Sequence, residues 1–125
     1  MGLNDLDKID MILDMTPHAK VTLVLVDGES WPDEESRLRQ YLIKLECYMA
    51  YVMGDQFKKD YPGIRPDQVL IAGMCQFPPT EAMKMVTHVR SKLDPQVVIR
   101  VRCAHFQPGG EVPWFLRPDG IAPSN

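Results

Sequence analysis

No apolar run in the sequence exceeds a few residues, so none has the length of a membrane span. A basic start before an apolar centre is missing as well, since the first twenty residues carry four Asp. Dense lysine and arginine are also lacking. Fourteen Lys and Arg stand against 17 Asp and Glu, a net charge of −3, which argues against nucleic acid or an anionic membrane as the main partner. Closely spaced cysteine pairs are absent. Cys47, Cys75 and Cys103 are separated by 28 residues each time, but their flanks LECYM, GMCQF and VRCAH share nothing. An odd set of scattered cysteines fits reduced, buried thiols and a cytoplasmic setting better than a disulfide framework. A metal site would need Cys103 and His105 with His88 or Cys75, and this spacing resembles no zinc site, so no metal is expected. No serine or thiol lies next to His18, His88 or His105, and Gly109-Gly110 reads as a turn pair and not a phosphate loop. No cofactor and no catalytic residue is therefore assigned.

What the sequence has in excess is proline: 11 of 125 residues, about twice the usual share. Four of them, Pro108, Pro113, Pro118 and Pro123, recur every five residues in a tail that also holds three Gly. The chain thus divides into one domain over residues 1–104 and a tail over residues 105–125. A chain of this length buries roughly two thirds of its unfolded surface, enough for a core without a staple.

Alternation over residues 6–15 predicts a strand, Thr16-Pro17-His18-Ala19 a turn, and KVTLVLVD a more deeply buried second strand. Ser30-Trp31-Pro32-Asp33 resembles a capping box. After it, Leu38, Tyr41, Leu42, Leu45, Tyr48, Met49 and Val52 make one helical stripe, with Glu35, Arg39, Lys44 and Glu46 facing elsewhere; Gly54 and Tyr61-Pro62-Gly63 mark its end. Residues 68–77 predict a buried strand with a close approach at Gly73. A second helix, opened by Pro78-Pro79-Thr80, is expected to point Met83, Val86, Val89 and Leu93 inward until Asp94-Pro95 stops it. In the last strand, QVVIRVRC, Val97, Ile99, Val101 and Cys103 share one face, Val98, Arg100 and Arg102 the other. The expected fold is an α+β two-layer sandwich, β-β-α-β-α-β, with two helices on one face of a four-stranded sheet.

Asp10 after Ile9, the strand ending in Asp27 before Trp31, Leu42, Leu45 and Tyr48 on the helix, Gly54, Tyr61-Pro62, and Pro78-Pro79 form a pattern. Over residues 6–103 it resembles a family of short bacterial domains of unknown function. The resemblance implies the element order and a bacterial source, and carries no activity.

Charge is unevenly placed. Residues 1–35 hold nine Asp and Glu against two Lys, so they carry −7 and the remainder +4. If the first strand lay beside the last, Asp10 or Asp14 would pair with Arg100 or Arg102, each pair worth roughly 0.2–1 kcal/mol. Alternatively, the arginine row is an anion-binding or partner-binding face. Asp33, Glu34 and Glu35 suit a first helical turn, and Trp31 reads as a lid on the core. Trp114-Phe115-Leu116 is too apolar for water and is expected to dock on its own domain or on a second copy.

Two functional classes follow. The favoured one is a non-catalytic protein-interaction module, homo-oligomeric as a dimer, using Arg100, Arg102, Trp114, Phe115 and Leu116. The other is a small enzyme or small-ligand binder whose pocket between sheet and helices is lined by Tyr41, Tyr48 and Cys75, with Arg100 or Arg102 orienting the ligand. A cavity with convergent polar groups would favour the second, and a flat apolar patch around Trp114 and Phe115 the first.

Overall fold

The computed structural model describes Leu3, residues 9–106, Gly109 and residues 112–117. The expected start of the first strand at residues 6–8, Gly110, and Pro108, Pro118 and Pro123 lie outside the described residues. The two β-rich segments form strands β1 (Met11–Thr16) and β2 (Ala19–Asp27), an antiparallel hairpin. Its turn is closed by the Thr16 hydroxyl, which accepts from the amides of His18 (3.3 Å) and Ala19 (3.2 Å). Helices α1 (Glu34–Met53) and α2 (Asp55–Asp60) follow, then strand β3 (Val69–Cys75), the single turn of helix α3 (Glu81–Lys84), and strands β4 (His88–Arg90) and β5 (Val98–His105). One 3-10 turn precedes β3, and a second spans Trp114–Leu116.

The architecture is α+β, with a five-stranded sheet in the order β1-β2-β3-β5-β4. The central strands β2, β3 and β5 are parallel, and the edge strands β1 and β4 are antiparallel to their neighbours. Two expectations are corrected here. The sheet has five strands and not four, because the segment expected to continue the second helix supplies β4. Met83 is buried as expected, but the helix stops after one turn, and Leu93 is 86% exposed. Val86, Thr87 and Val89 are β-branched, and pairing His88–Arg90 with Val98–Arg100 meets backbone groups that β5 would otherwise leave open. Strand β1 also lies three places from β5, so neither Asp10 nor Asp14 faces Arg100 or Arg102.

The main core lies between α1 and the sheet face carrying Leu23, Leu25, Ile71, Val101 and Cys103. Tyr41, Leu45, Tyr48, Met49 and Val52 meet it along the expected stripe. Two positions differ from expectation: Leu42 is 40% exposed, whereas Lys44 is fully buried. The cap differs too. Asp33 and not Ser30 caps α1, its carboxylate accepting from the Ser36 amide at 2.6 Å, which holds that carboxyl below the usual range. At Gly73 the close approach is present: a Cβ would sit 2.8 Å from the Cys103 Cβ on the neighbouring strand.

On the opposite sheet face, Val24, Leu70 and Ala72 are covered by Trp114 and Phe115. Phe115 is 1% exposed, and burial of such a ring stabilises by roughly 1.5–3 kcal/mol. Phe115→Ala should lower the unfolding free energy by about that amount in urea titration. A loss within error of zero would show that the turn does not hold to the sheet in solution.

Candidate ligand cleft

Asp27 ends β2 on the helix-facing side of the sheet, where a lone carboxylate could not remain charged. Its two oxygens are met by different elements. Oδ1 accepts from the Trp31 indole N–H at 3.3 Å, and Oδ2 from Arg37 Nε at 2.8 Å. Arg37 lies in the first turns of α1, and the rest of its guanidinium reaches the loop after β3. Nη1 donates to the Pro78 carbonyl (2.8 Å) and Nη2 to the Phe77 carbonyl (2.9 Å). Both carbonyls precede a proline, and pre-proline residues favour extended backbone. A planar donor fork is thus matched to three acceptors from two segments.

Arg37, held by Asp27 behind it, lines an open cleft of about 590 Å³ at the carboxyl ends of β2 and β3. One wall is the loop from Glu29 to Glu34, with Trp31 and Pro32. The other is Phe77-Pro78-Pro79 running into α3 through Thr80 and Glu81. Most of the lining is exposed, Arg37 being buried and Trp31, Pro79 and Thr80 half-buried. Parallel sheets commonly bind ligands at the carboxyl ends of their strands, where loops diverge.

A second buried pair joins the residue before β1 to α1. Lys44 Nζ contacts both Asp10 oxygens, at 3.0 and 2.9 Å, and both side chains are fully buried. Asp10 Oδ2 also accepts from the Val26 amide (2.8 Å), while the Asp10 amide donates to the Tyr48 hydroxyl (3.1 Å). That hydroxyl donates to the Val24 carbonyl at 2.8 Å. Burial pushes the Tyr48 phenol well up, keeping it a neutral donor. The entry to β1 is thereby fixed to β2 and α1.

The residues expected to line a pocket lie elsewhere. Tyr41, Tyr48 and Cys75 are fully buried, so their side chains fill the helix–sheet interface. Tyr41 lies beside Cys75 and Cys103, and its hydroxyl has no hydrogen-bond partner among the described residues. The adjoining Cys103 sulfur and burial push the Cys75 thiol up, away from nucleophilic thiolate. Arg100 and Arg102 share one sheet face, as their alternation predicts, and it is the face that Trp114 and Phe115 cover. They are bonded to carbonyls: Arg100 to His18 (3.0 Å), Arg102 to Thr87 (3.0 Å) and Val101 (2.7 Å). The His18 ring packs edge-on against Trp114 at 5.4 Å, which links Arg100 to the docked turn. Leu116 remains 42% exposed.

A family model matches residues 1–105 of the chain. The chain belongs to DUF6572, a family of unknown function. Both ion pairs and the whole cleft fall inside the DUF6572 match, and the Trp114–Leu116 turn falls outside it. No curated protein and no solved structure matches the chain. Among the described residues, no group of three or more His, Cys, Asp or Glu is placed to hold a metal ion, and no helix is long and apolar enough to cross a membrane.

Proposed function

We propose that this protein is a non-catalytic interaction module that holds a segment of another protein in the cleft between Trp31 and Phe77-Pro78-Pro79. The observation that carries this reading is how the polar groups of the cleft are already bonded. Asp27 is held by Trp31 and Arg37, Arg37 by Asp27 and two carbonyls, and Asp33 by Ser36. Groups so engaged give rigid walls that present a fixed shape to a bound molecule. The wide mouth and the exposed Phe77, at 44%, suit an extended chain better than an enclosed metabolite. Because Trp114 and Phe115 cover their own sheet, the apolar tail gives no separate reason for two copies to pair.

Site-specific photo-crosslinking in the source cell tests the reading. A benzophenone side chain at position 77 should capture a defined protein partner, whereas the same group at Leu93, exposed but remote from the cleft, should not. Equal capture from both positions, or none from position 77, would overturn it.

A further inference from the structure

We infer that the segment taken by this cleft is cationic, an extended stretch bearing lysine or arginine; this rests on the cleft being the interaction site. Four carboxylates line it, Glu29, Asp33, Glu34 and Glu81, in a chain whose net charge is −3. The opposing charges are few and already engaged. Arg37 is neutralised by Asp27, and Lys84, 3.1 Å from Glu81, offsets one of the four carboxylates. The Ser36 amide keeps Asp33 ionised, so capping α1 does not remove its field. Between the acidic rims the surface is apolar and aromatic: Trp31, Pro32, Phe77, Pro78 and Pro79. An alkyl stem packs on such a surface while its ammonium or guanidinium lies over an indole face and near carboxylates. Trp31 is suited to that role because its N–H bond to Asp27 fixes the ring before anything binds. An anionic segment would meet the same four carboxylates as repulsion.

The test is titration of the full-length protein, followed by its amide and indole NMR resonances, with hexalysine, hexaglutamate and hexaproline peptides. Hexalysine should move the Trp31 indole resonance and the amides of Glu34 and Thr80 saturably. Binding should weaken as ionic strength rises from about 0.01 to about 0.15 M, where the Debye length shrinks from about 30 to about 8 Å. Glu34→Lys with Glu81→Lys reverses two exposed rim charges and should weaken hexalysine at least about tenfold at a temperature where circular dichroism shows both proteins fully folded. The inference is overturned if hexalysine leaves these resonances unmoved, if the charge reversals do not weaken it, or if hexaglutamate or hexaproline binds there in its place. Should position 77 still crosslink a partner in those cases, the cleft remains the interaction site and only the cationic class fails. Loss of both results removes both.

Discussion

Asp10→Ala is expected to lower the unfolding free energy by about 3–5 kcal/mol, the range for removing one partner of a buried ion pair. The cost exceeds that of a surface salt bridge because Lys44, fully buried, would lose the carboxylate whose two oxygens it contacts. The Val26 amide would lose its acceptor at the same time. For a domain of this size the thermal midpoint should fall by roughly 10–20 °C. Two further variants separate the contributions. Asp10→Asn keeps an acceptor for Val26 but removes the charge, and should recover only part of the loss. Asp10→Ala combined with Lys44→Met removes both charges and should be more stable than Asp10→Ala alone, since the buried ammonium that faced Asp10 is gone with it. Urea unfolding with an unchanged slope measures each. If Asp10→Ala costs less than about 1 kcal/mol, the pair is not buried in solution.

Arg37 should be nearly as sensitive, for a different reason. Arg37→Ala strands the Asp27 carboxylate at 0% side-chain exposure and frees two carbonyls, so a loss of about 3–5 kcal/mol is expected. Arg37→Lys is the informative variant. It preserves the charge, but one ammonium on a flexible stem cannot reproduce a fork that meets Asp27, Phe77 and Pro78 together, and unmet buried acceptors cost roughly 1–3 kcal/mol. The two walls of the cleft would also lose their common tie. Binding measured at Trp31 should therefore fall in Arg37→Lys even at temperatures where the protein is fully folded. Equal stability and binding for arginine and lysine at this position would reduce the guanidinium to a simple counter-charge for Asp27.

Both buried pairs left a trace in the sequence. Arg37, Tyr41, Lys44 and Tyr48 follow helical spacing, so two cations sit at positions that otherwise face the core. Periodicity alone does not give them partners, because Asp10 and Asp27 come from the hairpin, and only the packing of α1 across it closes the pairs. Charge alone places Lys44 on the outer face of α1, and the fold buries it instead because a carboxylate and the Tyr48 ring, 6.0 Å from its ammonium, receive it there. The second helix shows the opposite case. Residues 83–93 satisfy a helical stripe and a β-branched alternation about equally, and the open edge of β5 decided for the strand.

Composition and pattern by themselves determined a small acidic α+β domain without membrane span or cofactor fingerprint, its hairpin, its long helix, the alternating faces of its last strand and its membership in a family of unknown function. They also marked Trp114 and Phe115 as too apolar for water, a property of the residues themselves. The tertiary structure alone decided the strand order, the sheet face that Trp114 and Phe115 cover, and the cleft. The reason is physical: strand order and ion pairing depend on contacts between segments far apart in the chain. Asp10 and Lys44, Asp27 and Arg37, and Arg37 and Pro78 are brought together by the sheet, and no spacing within a single segment encodes where they meet.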